Sequence, residues 1–141
     1  PTSNPALARL RQLQTTGRPL RYDGPVDDAM LSAAYHECSF TVYPSLMEGF
    51  GLPVLESVSY GKPCICSALG ALGESARGGG CLALSDVEAP TLARAIESLL
   101  SHAPRREALA SEARARVLRP WTDYTSRLSE WMAGLILRRT G

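Results

Sequence analysis

Two glutamates, Glu48 and Glu56, are separated by seven residues that include a glycine-rich turn. Within this turn, Gly49 and Gly51 permit positive φ and let a ligand approach the backbone closely. Pro53 suits the first turn of a helix, because its missing N–H costs nothing there. The free amides and the positive end of the dipole at such a helix terminus suit a phosphate or another anion. Glu56 then lies about one turn into the helix, where its carboxylate can accept hydrogen bonds from vicinal hydroxyls.

A strand, a loop and a helix must position these two glutamates. Residues 39–43 are rich in β-branched and aromatic side chains, and they predict a short strand. Pro44 and Ser45 end that strand. Leu52 opens a predicted helix that runs to about Tyr60. The spacing therefore predicts a ligand site that is formed by a strand, the loop after it and the following helix.

The rest of the chain alternates strands with helices and then becomes helical. Strands are predicted at 19–22, 39–43, 63–67 and 81–84, and helices at 5–14, 27–38, 52–60, 73–76, 91–102, 104–118 and 122–138. This order indicates an α/β fold of the Rossmann-like type, with a parallel sheet, helices on both faces and a C-terminal helical segment. Ligands of such sheets collect at the carboxyl ends of the strands. We therefore expect the loops at 24–28, 44–51 and 67–74 to share one edge of the sheet.

The composition is that of a soluble globular protein, with 141 residues of which 45% are hydrophobic and 21% charged. Its longest apolar stretches fall far short of the roughly 20 residues that span a bilayer. A net charge of +1 argues neither for nor against nucleic acid. We expect one domain over residues 1–141, a cytoplasmic location and no nucleic-acid partner.

The charges are unevenly distributed along the chain. Residues 101–141 contain eight arginines and four acidic residues, whereas residues 1–100 contain seven basic and ten acidic residues. A locally cationic surface can contact anionic lipid or a partner domain. The alternative is an ordinary solvated helix surface, which is favoured by the scattering of the arginines among alanines.

Four cysteines lie in apolar segments rather than in a loop-rich small scaffold: Cys38, Cys64, Cys66 and Cys81. We interpret them as reduced, buried thiols. A strand would put Cys64 and Cys66 on one face, but a C-x-C pair with no second pair and no ligating histidines is weak evidence for a metal.

In their order, these motifs resemble the nucleotide-sugar site of family 4 retaining glycosyltransferases, which have the GT-B fold. The resemblance rests first on the paired glutamates, with Pro44-Ser45 before them and the sequence Gly-Lys-Pro at 61–63 after them. Residues 24–28, Gly-Pro-Val-Asp-Asp, are similar to the Gly-x-Val-(Ser/Asp)-Asp turn of the family. Residues 70–74, Gly-Ala-Leu-Gly-Glu, are similar to its Gly-Gly-x-x-Glu loop. The resemblance covers nearly all of the chain.

The resemblance implies that the chain is a nucleotide-sugar-binding C-terminal domain, one half of a GT-B architecture. Glu48 would be the catalytic residue, beside the hydroxyls of the transferred sugar, and Glu56 would bind the ribose hydroxyls of the donor. Donor-binding roles are also implied for Val26, which would border the base, for Phe50, Gly51 and Leu52, whose amides would meet the diphosphate or sugar, and for Pro44, Ser45 and Gly49.

The family is usually discussed in terms of a front-face displacement, in which the leaving diphosphate helps to deprotonate the acceptor. On that view Glu48 positions the sugar and stabilises charge. The implied partners are a nucleotide-sugar donor and a glycan or lipid-linked acceptor, with peripheral contact at the inner face of a membrane. No metal or cofactor is expected, since amides and the family's basic pair, which is missing from this sequence, would balance the phosphates, and the chain has no Asp-x-Asp sequence.

Three features of the family are absent from the sequence. Family members begin this domain with further strand–helix units, carry an Arg and a Lys that clamp the diphosphate, and bind the acceptor through an N-terminal domain. We therefore expect the chain to be part of a longer enzyme and to be inactive alone. The alternative is a non-catalytic nucleotide- or sugar-binding or scaffolding module of the same fold. A nicotinamide-binding Rossmann domain is disfavoured, because no Gly-x-Gly-x-x-Gly follows the first strand.

Overall fold

The computed structural model describes the backbone of residues 4–139 and side chains as far as residue 135. The chain divides into two compact units, Pro1–Ala34 and Tyr35–Gly141. Most of the first unit is helical. Helix α1 (Pro5–Thr15) begins where the Asn4 side chain accepts a hydrogen bond from the amide of Ala6 at 3.0 Å.

Helix α2 (Asp28–Glu37) begins in the first unit and ends in the second. The Asp27 carboxylate accepts a hydrogen bond from the amide of Met30 at 2.8 Å, which caps the helix as the sequence predicts. The prediction of a strand at 19–22 is wrong, because this segment is irregular. A strand forms only where its backbone groups pair with a neighbouring strand. Within the irregular segment, the side chain of Arg21 makes a local ion pair with Asp23 at 2.8 Å.

The second unit is built on a parallel sheet with the strand order β1-β2-β3. The strands are β1 (Thr41–Tyr43), β2 (Cys64–Ser67) and β3 (Cys81–Leu84). Val42 pairs in register with Ile65, and Ile65 pairs with Leu82. The first strand is shorter than predicted, because Ser39 and Phe40 lie before the ladder begins.

Five further helices surround this sheet or follow it: α3 (Leu52–Ser59), α4 (Gly70–Ala76), α5 (Ala89–Ser101), α6 (Ala103–Ala115) and α7 (Trp121–Arg139). Each lies within a few residues of its predicted position. The helical C-terminal segment is therefore confirmed. In the part of the chain that the structure describes, no helix is both long and apolar enough to cross a membrane.

Side chains alternate between the two faces of the central strand, as the period of a β-strand requires. Cys64 and Cys66 point to one face, where they pack in a cluster with Val54 of α3 and Leu72 of α4. Ile65 points to the other face and packs with α5. Helices therefore cover both faces of the sheet, and the predicted α/β fold class is confirmed.

Two of the three predicted site loops follow strands. The loop at 44–51 follows β1, and the loop at 67–74 follows β2. Because these strands are parallel, both loops lie at the same edge of the sheet. The third segment, 24–28, follows no strand among the residues described, and its place at the sheet edge stays a prediction.

Candidate functional site

The loop after β1 holds Glu48 by two hydrogen bonds from its own neighbourhood. The hydroxyl of Tyr43, the last residue of β1, donates to Glu48 Oε1 at 2.7 Å. The hydroxyl of Ser45 donates to the same oxygen at 2.9 Å. Both donors therefore bind one oxygen, and within the described part of the chain Glu48 Oε2 has no hydrogen-bond donor.

These two donors also stabilise the ionised form of Glu48. The hydrogen bond from Tyr43, followed by that from Ser45, holds the pKa of Glu48 below its ordinary value. The same contact raises the pKa of the Tyr43 phenol. At neutral pH the pair is therefore a phenol and a carboxylate. Such a carboxylate can accept hydrogen bonds from hydroxyls and stabilise positive charge, but it cannot donate a proton.

Gly51 makes the turn from this loop into α3. Its φ is +80°, in the left-handed region that favours glycine, and the residue is buried. A Cβ at this position would lie 3.1 Å from Cδ2 of Leu72 and 3.3 Å from Oγ of Ser75. The Ser75 hydroxyl in turn donates to the carbonyl of Phe50 at 3.1 Å, which ties the loop to α4. Both the positive φ and the close packing therefore favour glycine at position 51.

Helix α3 starts directly after this turn, with Pro53 in its first turn as predicted. The first amides of a helix have no carbonyl partner within that helix. The glycines and the proline predict an anion-binding site at this terminus, and that role stays a prediction. Glu56 lies about one turn further along α3.

Glu56 receives its hydrogen bond from a distant part of the chain. The Tyr35 hydroxyl, on the last turn of α2, donates to Glu56 Oε2 at 3.1 Å. Burial of the Tyr35 phenol, followed by its hydrogen bond to Glu56, raises the pKa of Tyr35. The phenol consequently keeps its proton and remains the donor. The Glu56 carboxylate itself is exposed to solvent.

A cleft of about 710 Å³ runs along the exposed side of α3. Its volume lies in the range of small-molecule sites. It brings together three of the predicted donor-binding residues, Phe50, Leu52 and Glu56. The remaining lining residues come from α3 and the segment before and within α7: Leu55, Ser59, Val117, Leu118, Arg119, Pro120, Trp121, Asp123, Tyr124 and Arg127.

Comparison with known proteins assigns the chain to a family. The profile described as "Glycosyl transferases group 1" matches residues 17–116. The chain belongs to the group 1 glycosyltransferases. The predicted resemblance is therefore confirmed, and the matched range contains both glutamates and both loops at the sheet edge.

Curated group 1 glycosyltransferases and related enzymes are similar to this chain over limited parts of their own length. The D-inositol 3-phosphate glycosyltransferase of Thermomonospora curvata is 35% identical over 118 residues, which are 82% of this chain and 27% of that protein. The O-antigen chain mannosyltransferase B of Escherichia coli is 47% identical over 55 residues, 39% of this chain and 14% of that protein. Glycogen synthase of Mycobacterium tuberculosis is 33% identical over 101 residues, 71% of this chain and 24% of that protein. The chain thus spans about a quarter or less of these relatives.

In this group 1 glycosyltransferase chain, the predicted site residues fall into two sets. Those from the loop after β1 and from α3 lie along one continuous segment of the second unit: Pro44, Ser45, Glu48, Gly49, Phe50, Gly51, Leu52 and Glu56. Val26 lies in the first unit and is 40% exposed. Its role beside the base stays a prediction, as do the roles of the other residues.

Sequence reasoning missed the hydroxyl donors Tyr35, Tyr43 and Ser75. Tyr43 ends a strand only five residues before Glu48, and this short separation is a local signal of the contact in the sequence. Tyr35 and Glu56 are 21 residues apart, and only the packing of two helices brings them together. No local signal in the sequence indicates that second contact.

The four cysteines of the glycosyltransferase chain are free thiols, as predicted. Cys64 and Cys66 are buried as predicted, whereas Cys38 and Cys81 are only partly buried. Hydrogen bonds with Cys64 and Cys81, together with burial, raise the pKa of the Cys66 thiol. Among the residues with described side chains, no group of three or more histidine, cysteine or acidic residues is arranged to hold a metal ion. The cysteine cluster therefore belongs to the packed core.

Several C-terminal arginines bind groups within the chain. The internal acceptors are the Ser98 hydroxyl for Arg105, the Leu99 carbonyl for Arg106, the Glu107 carboxylate for Arg114 and the Gly79 carbonyl for Arg116. The contacts of Arg105 and Arg106 join α6 to α5, and that of Arg116 joins the residue after α6 to the segment before β3. The ion pair of Arg114 with Glu107 lies within α6. These contacts favour the interpretation of the α6 arginines as an ordinary structural surface, and contact with lipid stays a prediction.

Proposed function

We propose that this chain is the donor-binding part of a retaining glycosyltransferase that transfers a sugar from a nucleotide-diphosphate sugar to a glycan or lipid-linked acceptor. One observation carries the proposal. Two carboxylates, each held by a hydroxyl donor, lie on either side of a helix N-terminus at the carboxyl end of a parallel strand. That arrangement matches a ligand with hydroxyls at both ends and an anion in the middle.

In this proposal the amides at the start of α3 bind the diphosphate. Glu56 accepts hydrogen bonds from the ribose hydroxyls, and Glu48 accepts them from the hydroxyls of the sugar. The lowered pKa of Glu48 keeps its carboxylate ionised, so it also stabilises the positive charge that develops as the sugar leaves the diphosphate. Glu48 acts here by orientation and electrostatics, which suits the front-face displacement that the resemblance implies.

The names of the relatives support sugar transfer and differ in the molecule that each name mentions. One is named as a mannosyltransferase of O-antigen chains, one as a D-inositol 3-phosphate glycosyltransferase and one as a glycogen synthase. We propose that the acceptor is a glycan or a lipid-linked molecule and that the enzyme makes peripheral contact with the inner face of a membrane. We propose in addition that the donor site uses no metal, since the α3 terminus provides positive potential of its own.

The direct test is titration of the 141-residue chain with UDP, GDP and ADP, followed by calorimetry and by NMR at millimolar nucleotide. We expect one of the three to bind with resonance shifts in residues 48–56. The variant Glu56→Ala should weaken that binding. Glu97→Gln is the matched control, because Glu97 is an exposed acid on α5, which packs against the other face of the sheet.

Absence of binding to all three nucleotides would contradict the proposal. Equal affinity of the wild-type chain and Glu56→Ala would contradict the role of α3 in donor binding. The nucleotide would then bind at another site. Binding that depends on Glu56 but gains nothing from an attached sugar would favour a non-catalytic nucleotide-binding module.

A further inference from the structure

Tyr35 contacts two residues at the end of α3. Its hydroxyl donates to Glu56 Oε2 at 3.1 Å. Its ring stacks on the ring of Tyr60, with centroids 4.8 Å apart and an interplanar angle of 11°. Glu56 and Tyr60 are four residues apart, and so they occupy the same side of the helix end. The stack fixes the ring of Tyr35 and thereby directs its hydroxyl at the carboxylate.

A second set of contacts fixes the backbone that carries Tyr35. Nζ of Lys62 donates to the carbonyls of His36 and Cys38, each at 2.8 Å. The edge of the His36 ring also meets the face of Tyr60, with the centroids 5.1 Å apart. The residues directly after Tyr35 are therefore attached to the residues that follow α3. These contacts make the phenol a fixed donor, not a surface side chain that happens to lie near an acid.

The hydrogen bond from Tyr35 leaves half of the Glu56 carboxylate open. Oε2 accepts from Tyr35, whereas no donor within the described residues reaches Oε1. Glu56 is exposed, and an exposed glutamate samples several rotamers when nothing holds it. A fixed acceptor costs less conformational entropy when it binds a ligand.

We propose that Tyr35 is a positioning residue for the ribose of the donor. It binds one oxygen of Glu56 so that the other oxygen faces the ribose hydroxyls. Tyr35 does not touch the donor itself, and its contribution reaches the ligand through Glu56. This inference rests on the proposed function, because it takes Glu56 as the ribose ligand.

The test compares a ribonucleoside diphosphate with its 2′-deoxy analogue by calorimetry. Tyr35→Phe removes the hydroxyl and keeps the aromatic stack on Tyr60. We expect it to reduce the preference for the ribonucleotide by ~3- to 10-fold, the loss that one hydrogen bond of ordinary strength produces. Tyr22→Phe is the matched control, because Tyr22 is an exposed tyrosine of the first unit. It should leave the preference unchanged.

A double-mutant cycle separates positioning from general support of the fold. If Tyr35 acts through Glu56, Tyr35→Phe should cause no further loss of ribose preference in a Glu56→Gln background. Additive losses would overturn the inference, since they would mean that Tyr35 acts independently. In the wild-type chain, the ζ-carbon resonance of Tyr35 should shift with the ribonucleotide and shift less with the 2′-deoxy analogue. Equal shifts would also overturn it, and this measurement needs no variant to fold.

The outcomes distinguish this inference from the proposed function. If Glu56→Gln abolishes the preference for ribose and Tyr35→Phe retains it, the positioning role alone is wrong. If the wild-type chain binds nucleotide but does not distinguish the two sugars, the ribose role of Glu56 fails, and the inference about Tyr35 fails with it.

Discussion

Glu48 and Glu56 differ in how far along the chain their hydrogen-bond donors lie. Glu48 is held by Tyr43 and Ser45, five and three residues before it. Glu56 is held by Tyr35, 21 residues before it. The orientation of Glu48 therefore follows from the strand and loop that contain it. The orientation of Glu56 depends on how α2 packs against α3.

The two carboxylates also differ in how firmly they are held. Glu48 is half-buried and has two donors, whereas Glu56 is exposed and has one. We infer that the end of the site assigned to the sugar is built more rigidly than the end assigned to the nucleotide. In the proposed function, retention of configuration requires close control of the reacting sugar, while the nucleotide serves mainly for binding. The proposed difference in rigidity is consistent with these two roles.

The largest expected effect comes from the turn that joins the two carboxylates. Gly51→Val should destabilise the chain by ~2 to 4 kcal/mol, because it combines strain at positive φ with overpacking. The added side chain would meet Leu72 and Ser75. Chemical denaturation measures the loss, and nucleotide affinity should fall with it.

Gly49→Val is the matched control for this prediction. Gly49 does not have a positive φ, and a Cβ there would meet nothing within 4 Å. We expect it to change the free energy of unfolding by less than ~0.5 kcal/mol. Equal destabilisation by the two valines would show that the turn is not specified at Gly51.

Glutamine substitutions should separate the two ends of the site. Glu56→Gln should weaken the binding of nucleoside diphosphate and of nucleotide sugar equally, by ~1 to 3 kcal/mol. Glu48→Gln should weaken only the extra affinity that the sugar contributes. Calorimetry with both ligands on both variants measures this difference. If the two variants lose the same affinity for both ligands, the assignment of Glu48 to the sugar and of Glu56 to the nucleotide is wrong.

A smaller effect is expected from the contact that ties the loop to α4. Ser75→Ala removes the hydrogen bond to the Phe50 carbonyl, and it should cost ~0.5 to 1.5 kcal/mol of stability. If the contact also aligns the loop, sugar-dependent affinity should fall more than nucleotide affinity. Ser101→Ala is a control with a similar helix-surface hydroxyl, which donates to the Glu97 carbonyl. Its effect on both affinities should be negligible.

The smallest effect is a shift in a titration. The folded chain lowers the pKa of Glu48, so this contribution to stability is present above the ordinary value of 4.5 and is lost as the pH falls through the folded pKa. Tyr43→Phe removes the larger cause, so the pKa should rise and the loss should occur at higher pH. Ser45→Ala should produce a smaller rise. Carbon NMR of the Glu48 carboxyl measures both, and an unchanged titration in Tyr43→Phe would exclude that phenol as the cause.

The sequence predicted the second unit better than the first. Residues 64–67 and 81–84 form strands because their apolar side chains pack against helices on the two sheet faces. The segment at 19–22 has similar local preferences and is irregular. Strand propensity is realised only through pairing with a neighbour, and pairing is a property of the fold that no short window of sequence contains.

The candidate site shows the same limit at the level of single contacts. The glycine turn and the proline are local features, and the positive φ of Gly51 and the position of Pro53 in the first turn of α3 are found where the pattern predicts them. Gly49 does not have a positive φ. The hydroxyl of Tyr35 and the ammonium of Lys62 act across 21 to 26 residues. Their partners become apparent only once α2 and α3 are packed.

Two buried thiols below the loops that follow β1 and β2 can report when α3 and α4 separate from the sheet. Cys64 and Cys66 are fully buried on the face that α3 and α4 cover. An alkylating reagent in solution can reach them only when that helical layer separates from the sheet, so the rate of labelling measures the free energy of local opening. A nucleotide that binds at the start of α3 should slow the labelling, because binding to the closed form stabilises it.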